Sequence, residues 1–218
     1  MRNLFPQLVT LGASGMLLTA ITPLWRKGLP AYIAAYRWQS WILSSITAGI
    51  AWYTGHRELY LVAIGLFIAK GLAIPAVLRT TLRRVGIQRA IAPYVNAQTS
   101  LLIAGLLVLF AYVLARPWVM ASRLPTREAL PLALALIFVS LFIIVSRKKA
   151  ITQVIAFLML ENAIALLAAV GTYGVPLLVE IGVFLDVLMV FLVMQIFVYQ
   201  IHETFDTIDV DRLTHLRG

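Results

Sequence analysis

The chain has 218 residues, of which 61% are hydrophobic and 12% are charged, and its formal net charge is +9. A soluble domain is about half apolar and about a quarter charged. The charged residues of this chain are too few to cover the surface of a soluble protein. The composition therefore predicts an integral membrane protein. With no cysteine, the chain cannot ligate an iron–sulfur cluster, attach c-type haem or form a disulfide bond.

Continuous apolar stretches divide the chain into predicted transmembrane helices. A helix needs about 20 residues to cross a hydrocarbon core about 30 Å thick. Seven stretches meet this length, which predicts an all-α membrane protein with seven spans. The predicted spans are 4–24, 34–54, 58–79, 92–115, 129–146, 150–171 and 174–200. Pro75 lies inside the third span and is expected to bend or loosen it.

The basic residues between these spans predict the orientation in the membrane. With the N-terminus outside, twelve Lys and Arg residues fall on the inner side and five on the outer side, as positive-inside asymmetry requires. The N-terminus is therefore predicted outside and the C-terminus in the cytoplasm. Because the charges form short runs between apolar stretches, they indicate a lipid bilayer as partner and not a nucleic acid. The outer set is Arg2, Arg57, Arg116, Arg123 and Arg127; the inner set is Arg26, Lys27, Arg37, Arg79, Arg83, Arg84, Arg89, Arg147, Lys148, Lys149, Arg212 and Arg217.

Four ionisable residues lie inside predicted spans and need a physical explanation. They are Lys70 in the third span, Glu161 in the sixth, and Glu180 and Asp186 in the seventh. Each costs about 2.5–3.5 kcal/mol at the centre of a bilayer on insertion scales, so each is expected to have a partner or internal water. Such residues mark ion pathways and proton relays, and these four are the candidate relay residues. Two other readings remain open: Lys70 pairs with a carboxylate to fix helix packing, and Glu180 reaches the outer boundary.

Polar side chains on neighbouring spans could support such a pathway. Gln153 and Glu161 are eight residues apart, which places them within about 80° of each other on one helix. With Asn162, they form a polar side of the sixth span that leads inward from the cytoplasm. The second span also carries Gln39, Ser40 and several hydroxyl groups, although such residues more often hold helices together. Close helix packing is expected at four glycines, which are Gly12, Gly15, Gly65 and Gly71.

The sequence contains no metal-ligand cluster, nucleotide-binding loop or catalytic constellation. The three histidines lie in connections or in the tail, and the acidic residues after residue 202 indicate a solvated or protein-contacting segment. The chain is therefore predicted to be non-catalytic and to hold no cofactor of its own.

Two motifs in the C-terminal half resemble the K subunit of bacterial complex I. They are RKKAITQVIAFLMLENAIAL and VEIGVFLDVLMVFLVMQ, and the ending TFDTIDVDRLTHLRG resembles the terminus of that subunit. The resemblance divides the chain into a four-helix part at 1–127, a three-helix K-like part at 128–201 and a cytoplasmic tail at 202–218. It implies that Glu161 and Asp186 belong to a hydrophilic axis that carries protons. Glu161 lies about one helical turn, or about 5 Å, beyond the complex I glutamate, where this chain has Leu158.

The four additional helices make the chain similar to component E of hydrogenase-4. The features that carry this resemblance are AKGLAIP, the VEIG motif with an acidic residue six positions after its glutamate, and the tail. It implies a membrane subunit of a nickel–iron hydrogenase complex of the formate hydrogenlyase type, beside antiporter-like subunits and a membrane-anchoring subunit. The nickel–iron centre and the iron–sulfur clusters would belong to partner subunits. Two alternatives are a subunit of a multisubunit cation/proton antiporter and a purely structural spacer in the membrane arm.

Overall fold

The computed structural model describes residues 4–26, 28–85 and 94–172, and these residues form a bundle of helices. The predicted seventh span, with Glu180 and Asp186, lies outside the described residues. The helices are α1 (Leu4–Trp25), α2 (Leu29–Thr54), α3 (Glu58–Gly65), a π-helical segment (Leu66–Ala73), α4 (Ile74–Val85), α5 (Ala97–Ala121), a 3₁₀ turn (Pro125–Ala129), α6 (Leu130–Ser146) and α7 (Ala150–Thr172).

Within the described residues, five helical stretches are long enough and apolar enough to cross a membrane. They match the predicted first, third, fourth, fifth and sixth spans. The predicted second span is also helical, over the 26 residues of α2, but it falls outside the apolar set because its side chains include an arginine, a glutamine and several hydroxyls. The all-α architecture is thus confirmed for the described part of the chain.

Local sequence explains where several helices begin and end. Pro30 lies in the first turn of α2, where its missing N–H is harmless. Gly55 ends α2 with φ of 77°, a left-handed conformation that glycine adopts without steric cost. Asn96 caps α5, since its Oδ1 accepts a hydrogen bond from the backbone N–H of Thr99 at 2.8 Å.

The third span is a continuous helix whose middle is π-helical. The π segment, Leu66–Ala73, ends two residues before Pro75 and contains Lys70. Proline removes one backbone donor and its ring displaces the carbonyl one turn earlier, so a widened turn beside it relieves the conflict. The irregularity expected at Pro75 is therefore present, as a π-helical segment.

Helix α2 lies at the centre of the described bundle. It packs against α1, α7 and all three segments of the third span. Gly12 permits the close approach of α1, because a Cβ at this position would lie 2.9 Å from Cδ1 of Ile46. At Gly15 the same distance, to Ile42, is an ordinary 3.4 Å, and at Gly65 no atom lies within 4 Å, so the close packing expected at Gly65 is wrong for the described residues.

Helix α5 is the least covered of the apolar helices. Many of its large side chains are exposed, including Leu102, Leu109 and Val113. In water such a surface would be strongly unfavourable, whereas lipid tails or an apolar partner would cover it at no cost. The exposure fits the membrane environment that the composition predicts.

Candidate functional site

A buried ion pair joins the third and sixth spans. The Nζ atom of Lys70 lies 3.1 Å from Oε1 of Glu161, and the two side chains are only 3% and 6% exposed. Each residue lies near the middle of its helix, so the pair lies far from both ends of the described bundle. Pairing with a carboxylate is the contact that the alternative, structural reading of Lys70 expected, and the partner is another of the candidate relay residues.

The π segment and one glycine place Lys70 against the bundle. Gly71, the next residue, is buried, and a Cβ on it would lie 2.6 Å from Cδ1 of Trp41 on α2. Only a residue without a side chain allows this approach. The contact holds the turn of the π segment that contains Lys70 close to α2.

On the opposite side of the pair, α7 is tied to α2 by a side-chain hydrogen bond. The Nδ2 atom of Asn162 donates to Oγ of Ser40 at 3.1 Å, and both residues are completely buried. Ser40 in turn donates to the backbone carbonyl of Tyr36 at 2.9 Å. Because Asn162 follows Glu161, this bond fixes the height and rotation of α7 directly beside the carboxylate.

Helix α2 contacts three different helices through polar side chains near the pair. Besides the bond between Ser40 and α7, Nε2 of Gln39 donates to the carbonyl of Met16 on α1 at 3.3 Å. The hydroxyl of Ser44 donates to the carbonyl of Ala63 on α3 at 2.8 Å. In the described part of the chain, the buried acceptor atoms Oε1 of Gln39 and Oδ1 of Asn162 have no hydrogen-bond partner. The buried amides of Gln39 and Asn162 therefore keep acceptor capacity in an otherwise apolar core.

Gln153 lies apart from this cluster and serves the start of α7. Its Nε2 donates to the carbonyl of Arg147 at 2.8 Å, and the hydroxyl of Thr152 donates to the carbonyl of Lys149 at 2.6 Å. These bonds shape the connection between α6 and α7. Of the two supporting residues predicted from sequence, the structure thus brings Asn162 to the pair and leaves Gln153 at the helix end.

The structure also gives two arginines roles that the sequence did not indicate. Arg147 is 3% exposed, and its Nη2 donates to the carbonyls of Pro23 and Leu24 at 3.4 and 3.5 Å, where it neutralises the end of α1. Arg37 was counted with the basic residues of the inner side, close to the start of the predicted second span, but α2 begins at Leu29, so Arg37 lies two turns inside the helix. The signal was present in Gly28 and Pro30, which mark a helix start.

The cluster can exchange and hold a proton but contains no group for other chemistry. A lysine and a carboxylate at this distance can share or transfer a proton, and the pair can be charged or neutral. Among the described residues, no group of three His, Asp or Glu side chains could hold a metal ion.

Comparisons with known proteins cover almost the whole chain. It is 34% identical over 214 residues to an uncharacterized protein of Mycobacterium tuberculosis, Rv0085, covering 98% of this chain and 97% of the relative. It is 27% identical over 203 residues to hydrogenase-4 component E of Escherichia coli K12, covering 93% and 94% of the two chains. The same identity and coverage are found for hydrogenase-4 component E of Shigella flexneri. No family model and no solved structure matches the chain.

Proposed function

Since the chain belongs to the family of hydrogenase-4 component E, we propose that it is a non-catalytic membrane subunit of a complex I-related nickel–iron hydrogenase. In this proposal the subunit lies in the cell membrane beside antiporter-like subunits and a membrane-anchoring subunit. The nickel–iron centre and the iron–sulfur clusters belong to partner chains. Lys70 and Glu161 take part in moving protons, or sodium ions, across the membrane.

The buried pair between Lys70 and Glu161 is the observation that carries the proposal. Two charges in the middle of apolar helices are expensive, and even as a pair they give little stability compared with apolar side chains of similar size. Their presence therefore needs a purpose other than stability. Proton exchange between an ammonium and a carboxylate requires both groups, at this separation and shielded from bulk water.

Redox chemistry in partner subunits would act on this pair by electrostatics. A charge that arrives or leaves nearby changes the relative free energy of the charged and neutral forms of the pair, and the effect is strong because the interior has a low dielectric constant. A proton can then be taken up from one side and released to the other. The Oδ1 atom of Asn162, the residue after Glu161, has no hydrogen-bond partner among the described residues and offers a position for a water.

Glu180 and Asp186 extend the proposed pathway into the last predicted span. They stay in the proposal on the basis of sequence, because each is an acid within an apolar stretch. We expect Asp186→Asn to lower proton translocation and Glu180→Gln to have a smaller effect, since Glu180 is nearer to the end of its span.

The decisive experiment separates ion transfer from helix packing. In the double variant Lys70→Met/Glu161→Leu, two apolar side chains replace the pair, so we expect the complex to assemble and its soluble part to reduce an artificial acceptor with hydrogen. Proton uptake by inverted membrane vesicles driven by the same complex should fall to the background level. Glu161→Gln, which keeps the shape of the side chain, should give the same loss.

Glu58→Gln is the matched control, because Glu58 is an exposed acid at the start of the same span. It should leave proton uptake unchanged. Normal proton uptake in the double variant would overturn the relay and favour a structural spacer. Sodium-dependent proton exchange without nickel or iron in the purified complex would instead indicate an antiporter.

A further inference from the structure

An apolar groove runs along the surface between α1 and α2. Its volume is about 760 Å³, within the range of about 300–1,000 Å³ that is typical of ligand sites. The tryptophans Trp38, Trp41 and Trp52 line it from α2, Leu8 lines it from α1, and Phe67 of the π segment lies at one end. Apart from the hydroxyl of Ser45 and the indole N–H groups of the three tryptophans, the side chains that line the groove are apolar.

The groove is longer than one leaflet is thick and so has room for one acyl chain. Trp38 and Trp52 are 14 residues apart on one helix, which corresponds to about 21 Å. One leaflet takes up about half of a hydrocarbon core about 30 Å thick, or about 15 Å. Both tryptophans are at least half exposed, at 50% and 64%, and tryptophan is a side chain that anchors to lipid headgroups and their boundary.

The guanidinium of Arg37 lies beside the groove and has no counter-charge among the described residues. The Cζ atom of Arg37 lies 5.1 Å from the centre of the Trp41 ring, which lines the groove. Its Nε is buried and has no hydrogen-bond partner among the described residues, and no carboxylate of that part of the chain lies within 4 Å. A guanidinium is a fork of donors that matches a phosphate group.

We propose that this groove binds an anionic phospholipid, with one acyl chain along α1 and α2 and its phosphate on Arg37. The positive charge of Arg37 favours a phospholipid over a purely apolar protein segment as the occupant of the groove. A hydrophobic helix could cover the tryptophans but would leave the guanidinium without an anion in an apolar surrounding. A phospholipid supplies the acyl chain and the anion in one molecule.

A photo-crosslinker tests the occupant in the intact complex. Ser45 is exposed and lines the groove, so benzoylphenylalanine at this position should form a covalent adduct with a phosphorus-containing lipid, detected by mass spectrometry of the purified chain. Adding Arg37→Gln should lower the yield of anionic adduct about fivefold, as expected for one basic residue at an anionic lipid. The control change Arg116→Gln, at an exposed arginine of α5, should leave the yield unchanged. A crosslink to another polypeptide, or a lipid adduct that does not respond to Arg37→Gln, would overturn the proposal.

A second measurement leaves Ser45 intact. In the full chain with Trp25→Phe and Trp118→Phe, excitation at the red edge of the indole band, where tyrosine does not absorb, selects the three groove tryptophans. Phosphatidylglycerol with brominated acyl chains should quench this emission at an about fivefold lower mole fraction than brominated phosphatidylcholine, and Arg37→Gln should abolish the difference. Equal quenching by the two lipids in the protein that retains Arg37 would contradict a specific anionic site.

Discussion

Gly71 and Trp41 lie so close that a methyl group on the glycine would overlap the indole, at 2.6 Å from its Cδ1 atom. The glycine belongs to the π segment and follows Lys70, while the tryptophan belongs to the central helix α2. The contact therefore sets the distance between the third span and α2 at the height of the ion pair. The position of Lys70 therefore depends on this contact, although neither Gly71 nor Trp41 is a charged residue.

Gly71→Ala should destabilise the chain because the indole or the π segment must shift. Overpacking of this kind costs about 1–3 kcal/mol, which should appear as a lower midpoint of denaturation of the purified chain in detergent. Gly65→Ala is the matched control in the same span, since a Cβ there meets nothing within 4 Å. An equal effect of the two substitutions would show that the close contact is not what limits Gly71.

Single and double replacements at the ion pair should have opposite effects on stability. Lys70→Met alone leaves the Glu161 carboxyl buried without its lysine, and breaking a buried pair in this way costs about 3–5 kcal/mol. The double variant Lys70→Met/Glu161→Leu should be close to the original chain or more stable, because no charge remains to be desolvated. Unfolding in mixed micelles measures both, and additive effects of the two single changes would contradict a direct pair.

Arg147→Met should loosen the junction of α1 with the connection before α7. The substitution removes donors to two buried carbonyls, and a hydrogen bond from a charged group contributes about 1.5–3 kcal/mol. Lys148→Met is the control, because Lys148 is exposed and its ammonium lies over the ring of Tyr94. A loss of stability confined to Arg147→Met supports the capping role, whereas equal losses would point to a general effect of the basic run.

The orientation in the membrane can be tested with single cysteines, because the chain has none of its own. With the N-terminus outside, Ala121→Cys at the end of α5 should react with a membrane-impermeant maleimide in intact cells. Gly28→Cys before α2 should react only after the membrane is made permeable. The reverse pattern would show that the predicted orientation is inverted.

The described helices were largely predictable from sequence because lipid imposes the same length and polarity on each of them. The predicted span at 4–24 corresponds to α1, and the one at 150–171 corresponds to α7, within two residues. The second span began five residues earlier than predicted, since the search for apolar residues passed over the signal of Gly28 and Pro30. Helix α2 can carry buried polar side chains because Gln39 and Ser44 donate hydrogen bonds to backbone carbonyls of neighbouring helices.

The sequence predicted which residues belong to the candidate site but not how they are arranged. Lys70, Glu161 and Asn162 stood out because ionisable and amide groups are rare in apolar helices. Their mutual distances depend on how helices far apart in sequence pack, and apolar helices can pack in many ways of similar energy. The role of Gly71 could be suspected from its residue type, but its partner, Trp41, could not.

Composition and hydropathy alone determined that this chain is a helical membrane protein with costly charges in its interior, because the transfer of a side chain into lipid depends on its chemistry and hardly on its neighbours. Tertiary structure alone decided that Lys70 meets Glu161 and that the guanidinium of Arg37 lies over the ring of Trp41. Those outcomes depend on the rotation and height of each helix, which side-chain packing and a few interhelical hydrogen bonds select.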